Sequence, residues 1–238
     1  MQIYAVTHRG KKRDVNQDAY YADNDKGIFV VADGMGGYKA GDVASKMAID
    51  EVIKHMEDTP SEASLKRAIL KANHAVYLSS HEEPSYSGMG TTMTLCCHDH
   101  DKWWFAQVGD SRAYLYRDGK LEQITHDHSL VQALLDSGSI SEEESKKHPE
   151  RHVITRAIGT SLDIDVDAFQ RMAYDEDIIL LCSDGLLRHV DDEEIRKILS
   201  SIAIENVADH LLALTLERGA SDNVTILVTK LTGGPAHE

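Results

Sequence analysis

Residues 30–37 read VVADGMGG, an apolar run that ends in a carboxylate, Asp33, and then opens into glycine. An acid so placed fits three chemistries: an Asp-Gly turn, a glycine loop around a nucleotide phosphate, or a metal ligand held at a rigid strand end. The pattern recurs. IILLCSDGLL puts Asp184 and Gly185 after a second apolar run, WWFAQVGDSR puts Asp110 after a third, and GASDNVTILV puts Asp222 just ahead of a fourth. Turn preference explains each acid singly, but not why Asp33 and Asp184 both follow runs apolar enough to be buried. Gathered carboxylates raise one another's pKa unless a cation neutralises them. Oxygen donors without paired His or Cys suit a hard cation, Mg²⁺ or Mn²⁺ before Ca²⁺. The glycine after Asp33 lets a main-chain carbonyl approach an ion. Two ions about 3.5–4 Å apart can share a carboxylate and activate a bridging water for in-line attack on a phosphate ester.

A phosphate needs its own holder, and HRGKKRDVNQDAYY at residues 8–21 offers one. Arg13 carries a planar fork for phosphate oxygens, and Asn16, Gln17 and Asp18 add polar groups before a strand resumes at Ala19.

These residues need elements to hold them. Short runs rich in β-branched and aromatic residues predict strands over 2–6, 28–32, 92–97, 103–108, 113–116, 178–182 and 224–228. Helical spacing predicts helices over 41–56, 61–80, 191–200 and 206–218, with Asp191 as an N-cap ahead of Glu193 and Glu194. The order is no regular βαβ alternation. Strands crowd together between 92 and 123 with short links such as Asp118-Gly119, which predicts antiparallel meanders with helices laid outside. SGSISEEESKKHPERHVITR, residues 137–156, is too polar and too long for an ordinary connection and reads as an inserted flap. From about 232 the chain reads as a frayed tail.

With 238 residues, 42% of them hydrophobic, the chain can bury a core without staples, and a single domain over 1–238 is expected. The net charge of −15 argues against nucleic acid and anionic membranes as partners. No apolar run is long enough to span a bilayer, and MQIYAVTHRG lacks a signal peptide's apolar block, so a cytoplasmic monomer is expected. Cys96, Cys97 and Cys182 form neither a disulfide framework nor a zinc ribbon and read as buried thiols.

Taken in order, RxxNQD at 13–18, VADGMGG at 31–37, GMGTT at 88–92, VGDSRAYL at 108–115, DHS at 127–129, RHVITRAIG at 151–159, LLCSDGL at 180–186 and SDNVT at 221–225 resemble the bacterial metal-dependent serine/threonine phosphatases of the PPM type, protein phosphatase 2C-like. The resemblance implies an α+β fold, a four-layer α-β-β-α sandwich of two antiparallel sheets flanked by helices, with a dinuclear Mn²⁺ or Mg²⁺ site at one edge. By motif, Asp33 bridges both ions, Gly34 ligates through its carbonyl, and Asp184 and Asp222 complete one ion's shell. Asp18 orients bound water or touches the second ion, and Arg13 grips the substrate phosphate. Asp110 with Asp184 matches a weaker third ion, while Asn223 shapes a turn. The implied reaction is direct hydrolysis of phosphoserine and phosphothreonine on proteins by a metal-bridging hydroxide, without a phosphoenzyme, as the counterpart of a bacterial Ser/Thr kinase. One departure stands out: animal relatives carry a histidine, a candidate general acid, where this chain has Met35.

Rival patterns are weaker. Cys182 and Arg188 have the spacing of cysteine-dependent phosphatases, yet Asp184 inside that loop would repel a phosphate. DIDVD at 163–167 opens like a calcium loop but has Ala168 and Tyr174 where glycine and glutamate belong, and reads as a turn entering a strand near Phe169. HDHD at 98–101 and HDHS at 126–129 lack companion zinc ligands and read as surface turns, and DGMGG matches no nucleotide-binding pattern. The non-enzyme alternative is a catalytically silent, metal-dependent module that binds phosphoproteins. The flap's Lys146, Lys147, His148, Arg151, His152 and Arg156 suggest a loop that gates the cleft and helps choose phosphoprotein partners.

Overall fold

A strand buried on one face alternates in polarity, and one covered on both faces does not. In strand β3 (Ile28–Met35) the first five residues, IFVVA, are all buried, as is every residue of IILLC in β10 (Ile178–Cys182). Each is accordingly an interior strand of its own sheet. The structure, a computed structural model, describes residues 1–36 and 40–233, so Gly37 and the tail from 234 lie outside the described residues.

The first sheet runs β1 (Gln2–His8), β11 (Val224–Lys230), β10, β7 (Arg112–Arg117) and β8 (Lys120–Gln123). The second runs β2 (Asp18–Asp23), β3, β5 (Met93–Asp99), β6 (Lys102–Val108) and β9 (Asp167–Met172), with the two-residue β4 (Gly90–Thr91) on β3. Every pairing is antiparallel.

Three apolar layers hold this together. Helices α1 (Ala40–His55) and α2 (Glu62–Glu82) place Ala44, Ala48, Leu65 and Ile69 against Val30 and Leu95 of the second sheet. Helices α6 (Asp192–Ser201) and α7 (Ile204–Glu217) place Ile195, Val207 and Leu211 against Leu180 and Ile226 of the first. Between the sheets Phe29, Val31, Phe105, Leu115, Ile179, Leu181 and Leu227 interdigitate. The four-layer α-β-β-α sandwich is therefore the fold. Asp191 caps α6 as expected, accepting from the Glu194 amide at 2.9 Å while the Glu194 carboxylate returns to the Asp191 amide.

The strands crowded between 92 and 123 pair antiparallel through short links, as expected, and divide between the sheets: β5 and β6 form a hairpin in one, β7 and β8 a hairpin in the other, and the chain crosses at Gly109-Asp110. The Asp118-Gly119 turn is a hairpin turn, with φ of 51° and 77°. One expectation changes: the segment outside the sheets is longer than the flap expected over 137–156. It leaves the first sheet after β8 and enters the second at β9, carries α3 (Leu130–Asp136) and α4 (Glu142–Lys147), and pairs Ser129 with Ile154 across its base. Neither helix has a fully buried residue: the apolar side chains of α3, LVQALLD, are at most partly covered, while α4, EEESKK, has no apolar period and is held by a Ser141/Glu144 capping box. No helix among the described residues is long and apolar enough to cross a membrane.

Candidate metal centre

Antiparallel register gathers the acids. Asp18 opens β2 directly opposite Asp33 near the end of β3. At the end of β10, Cys182 pairs with Arg112 and Ile226, so Asp184 leaves its strand where Asp110 and Asp222 precede theirs. A cleft of about 210 Å³ at this end is lined by Arg13, Asp33, Gly34, Asp110, Asp184 and Asp222, together with Met35, Thr92, His152 and Arg188. Asp18 lies beneath them, buried, and its Oδ2 accepts from Ser183 Oγ at 2.7 Å and Thr225 Oγ1 at 2.8 Å.

The main chain here is rigid. The Asp33 amide donates to Thr92 Oγ1 at 3.0 Å, and its carbonyl accepts from the Thr92 amide and from Thr91 Oγ1, both at 2.9 Å. A Cβ at Gly34 would fall 2.0 Å from the Gly41 carbonyl oxygen, and one at Gly185 would fall 1.8 Å from that of Asn223. Both Asp-Gly pairs thus permit close main-chain approach, which the turn reading alone does not explain. Asn223 shapes its turn as expected: its Oδ1 accepts from the Gln17 amide at 2.8 Å, and its Nδ2 donates to the carbonyls of Arg9 and Val15, both at 2.9 Å. That clamp brings the Arg13 loop to the cleft, where Nε and one terminal nitrogen of Arg13 each lie 2.8 Å from an Asp222 oxygen.

Crowding and burial make Asp33, Asp18 and Asp110 reluctant to ionise. Burial pushes Asp33 well above the carboxylate range, with Asp18, Asp184 and Asp110 adding to it. Asp18 is pushed up to about 7 by burial, against the pull of its two hydroxyl donors and with Asp184 and Asp222 adding. Burial, then Asp184 and Asp127, take Asp110 to about 8. Asp18 Oδ1 and Asp184 Oδ1 are buried with no hydrogen-bond partner. Buried carboxylate oxygens without donors are costly unless a cation takes them, and an all-oxygen set suits Mn²⁺ or Mg²⁺, so the residues fit the implied ions. Among the described residues no three of these groups converge closely enough to clasp an ion as they stand.

Arg188, noted in the sequence for its spacing from Cys182, has a different setting in the structure. It lies four residues after Asp184, at the end of the short helix α5 (Asp184–Leu187), and its guanidinium reaches both Asp184 and Asp222. The sequence signal for this pairing was helical i,i+4 spacing from an acid. His152 also reaches the cleft from the flap.

The rival patterns fall away. Cys182 is fully buried in the layer under α6 and α7, and burial pushes its thiol further up, so it is no thiolate nucleophile. DIDVD is a turn into β9. His98 packs on Trp103 within the sheet. His128 is not in a surface turn: it is buried, its Nδ1 accepts from the Gly109 amide at 3.1 Å, and its Nε2 lies 3.1 Å from Asp167, tying the flap to the strand crossing.

The chain matches the sequence profile of Protein phosphatase 2C over residues 7–217. It belongs to the protein phosphatase 2C family. The family's "Serine/threonine phosphatase stp" of Listeria monocytogenes is 36% identical over 235 residues, 94% of this chain and 93% of that one. A crystal structure of the Mycobacterium tuberculosis serine/threonine phosphatase PstP/Ppp matches with a TM-score of 0.91 and 38% identity, covering 97% of this chain and 98% of that one. The catalytic domain of serine threonine protein phosphatase PstP, solved in complex with two manganese ions, matches with a TM-score of 0.87 and 37% identity over the same shares.

Proposed function

We propose that this protein phosphatase 2C member hydrolyses phosphoserine and phosphothreonine esters on proteins, using two Mn²⁺ or Mg²⁺ ions held by Asp18, Asp33, the Gly34 carbonyl, Asp184 and Asp222, with Asp110 and Asp184 taking a weaker third. The observation that carries this reading is the pair of orphaned oxygens, on Asp18 and Asp184, inside a cluster of mutually repelling buried acids. The Listeria relative named a serine/threonine phosphatase and the manganese-bound PstP domain support it.

When bound, the ions supply a water of lowered pKa and neutralise charge on the phosphoryl oxygens. The chain's own residues do the rest. Asp33, fixed through its main chain by Thr91 and Thr92, presents its carboxylate to the cleft from a rigid strand end. Ser183 and Thr225 hold Asp18 in orientation. Arg13, whose side chain is 53% exposed, turns its fork to the substrate phosphate once Asp222 is otherwise engaged. Thr92 carries the hydroxyl among the described lining residues, and its Oγ1 is committed to the Asp33 amide and to Ser111 Oγ at 2.7 Å, so no lining hydroxyl is free to attack, in keeping with direct attack by water. Met35 cannot give the leaving alkoxide a proton; His152, which lines the same cleft, is the imidazole there that could, although burial, then Arg188 and Arg151, lower its pKa.

In this reading the chain acts as a single cytoplasmic domain, a monomer, opposite a Ser/Thr kinase, and the flap selects phosphoprotein substrates. The test is phosphate release from a phosphothreonine peptide by chelated protein, then with Mn²⁺ or Mg²⁺ restored, with Asp33→Ala alongside. Metal-dependent turnover lost in the variant is expected. Inactivity of the wild type with both metals would favour the silent phosphoprotein-binding module.

A further inference from the structure

Arg188 Nε and one terminal nitrogen donate to Asp184 Oδ2 at 3.0 and 2.5 Å, and that terminal nitrogen also lies 3.1 Å from Asp222 Oδ2. The side chain is 23% exposed, against 53% for Arg13, which approaches Asp222 from a loop. A single, largely buried guanidinium therefore spans the two acids that the family motif assigns to one ion. Its charge also acts on Asp33.

We infer that Arg188 is a resident counter-cation, which competes with a divalent ion for Asp184 and Asp222 and must swing out before that ion is fully held. The inference rests on the metal-dependent reading of the site. Three features support it. The bridge engages Asp184 through Oδ2 while its buried Oδ1 has no partner, so one guanidinium satisfies the acid incompletely. Among the described residues the acids do not clasp a single point, and the Arg188 guanidinium stands between two of them. Room to move also exists: Arg188 lines both the catalytic cleft and a neighbouring groove of about 410 Å³ that runs under the flap, where Asp127 already holds Arg112 and Asp191 caps α6.

Competition has a signature that a merely structural ion pair lacks. While the guanidinium occupies the two acids, only a fraction of molecules is competent to bind, and the apparent affinity falls by that fraction. Removing Arg188 should tighten ion binding and at the same time destabilise the chelated protein, whose acids lose their internal counter-charge. A structural pair predicts loss of stability with unchanged or weaker ion binding.

The experiment is calorimetric titration of Mn²⁺ into chelated wild type, Arg188→Gln and Arg188→Lys, with thermal unfolding of each chelated protein and Arg196→Gln as a surface control. Arg188→Gln is expected to bind the ion at Asp184 and Asp222 about tenfold tighter, following the lifted competition, and to unfold at a lower temperature when chelated. Arg188→Lys keeps the charge without the fork and should fall between, which preserves the test if the glutamine variant folds poorly. Equal or weaker binding in both variants overturns the inference. Failure of the wild type to take up Mn²⁺ overturns the metal-dependent reading itself, and the inference with it.

Discussion

Strand β10 is bracketed by two acids with opposite fates. Asp177, just ahead of it, is fully buried and fully partnered: Trp103 Nε1 donates at 2.9 Å, Arg117 at 2.6 and 2.7 Å, and the Tyr174 amide at 3.0 Å. Asp184, just beyond it, keeps one buried oxygen with no partner and shares its end of the sandwich with Asp18, Asp33, Asp110 and Asp222. A satisfied buried charge stiffens a fold, and an unsatisfied cluster keeps binding capacity in reserve at a cost in stability. The same strand therefore carries a structural acid at one end and, in the proposed reading, a metal-holding acid at the other.

Substitutions at the two ends should separate these roles most sharply. Asp33→Ala should lower turnover on the order of 10³-fold or more, the scale of losing a central electrostatic group, while raising the melting temperature of the chelated protein. Asp177→Ala should do the reverse, costing about 3–5 kcal/mol of stability by stranding Arg117, with activity per folded molecule retained at low temperature. Comparable stability losses in both variants would erase the distinction. His152→Ala should slow hydrolysis of a phosphothreonine peptide about 10²-fold yet hardly touch an aryl phosphate, whose leaving group needs no proton. Equal losses on both substrates would remove His152 from proton transfer.

The comparison also predicts a pH dependence. Asp18 and Asp110 are held up to about 7 and about 8, so the folded chelated protein binds protons that the unfolded chain releases near 4. The resulting stability is fully present below the unfolded value and is lost as pH rises through the folded ones. Chelated protein should melt several degrees lower at pH 8 than at pH 5, at about 2–4 °C per kcal/mol, and Mn²⁺ should restore most of the difference at pH 8. A flat profile under chelation would contradict the crowding of the acids. The smallest effect belongs to Asn223→Ala, which frees the Arg13 loop: KM should rise several-fold, and about 1–3 kcal/mol of stability should be lost. An unchanged KM would detach that loop from substrate binding.

Much of this was legible in the sequence because burial on both faces leaves an unbroken apolar run, and Asp33 and Asp184 each end one. The family motifs then named the remaining acids, and register brings them together. What stayed hidden depends on contacts that no local pattern encodes. Asp177 gains its role from Trp103 and Arg117, far away in the chain. Arg188 acts through a four-residue helix too short to show a period. The flap helices bury no residue, and the exchange of sheets at Gly109-Asp110 depends on which strand each hairpin meets, not on the hairpins themselves.

The most direct test is a calorimetric count of Mn²⁺ ions taken up by chelated wild type, Asp33→Asn and Asp177→Asn at a temperature where all three are folded. Two strongly bound ions in wild type and in Asp177→Asn, with loss of tight binding in Asp33→Asn, is the expected result. Undiminished uptake by Asp33→Asn, or none by the wild type, would contradict the assignment of the unsatisfied acids to metal.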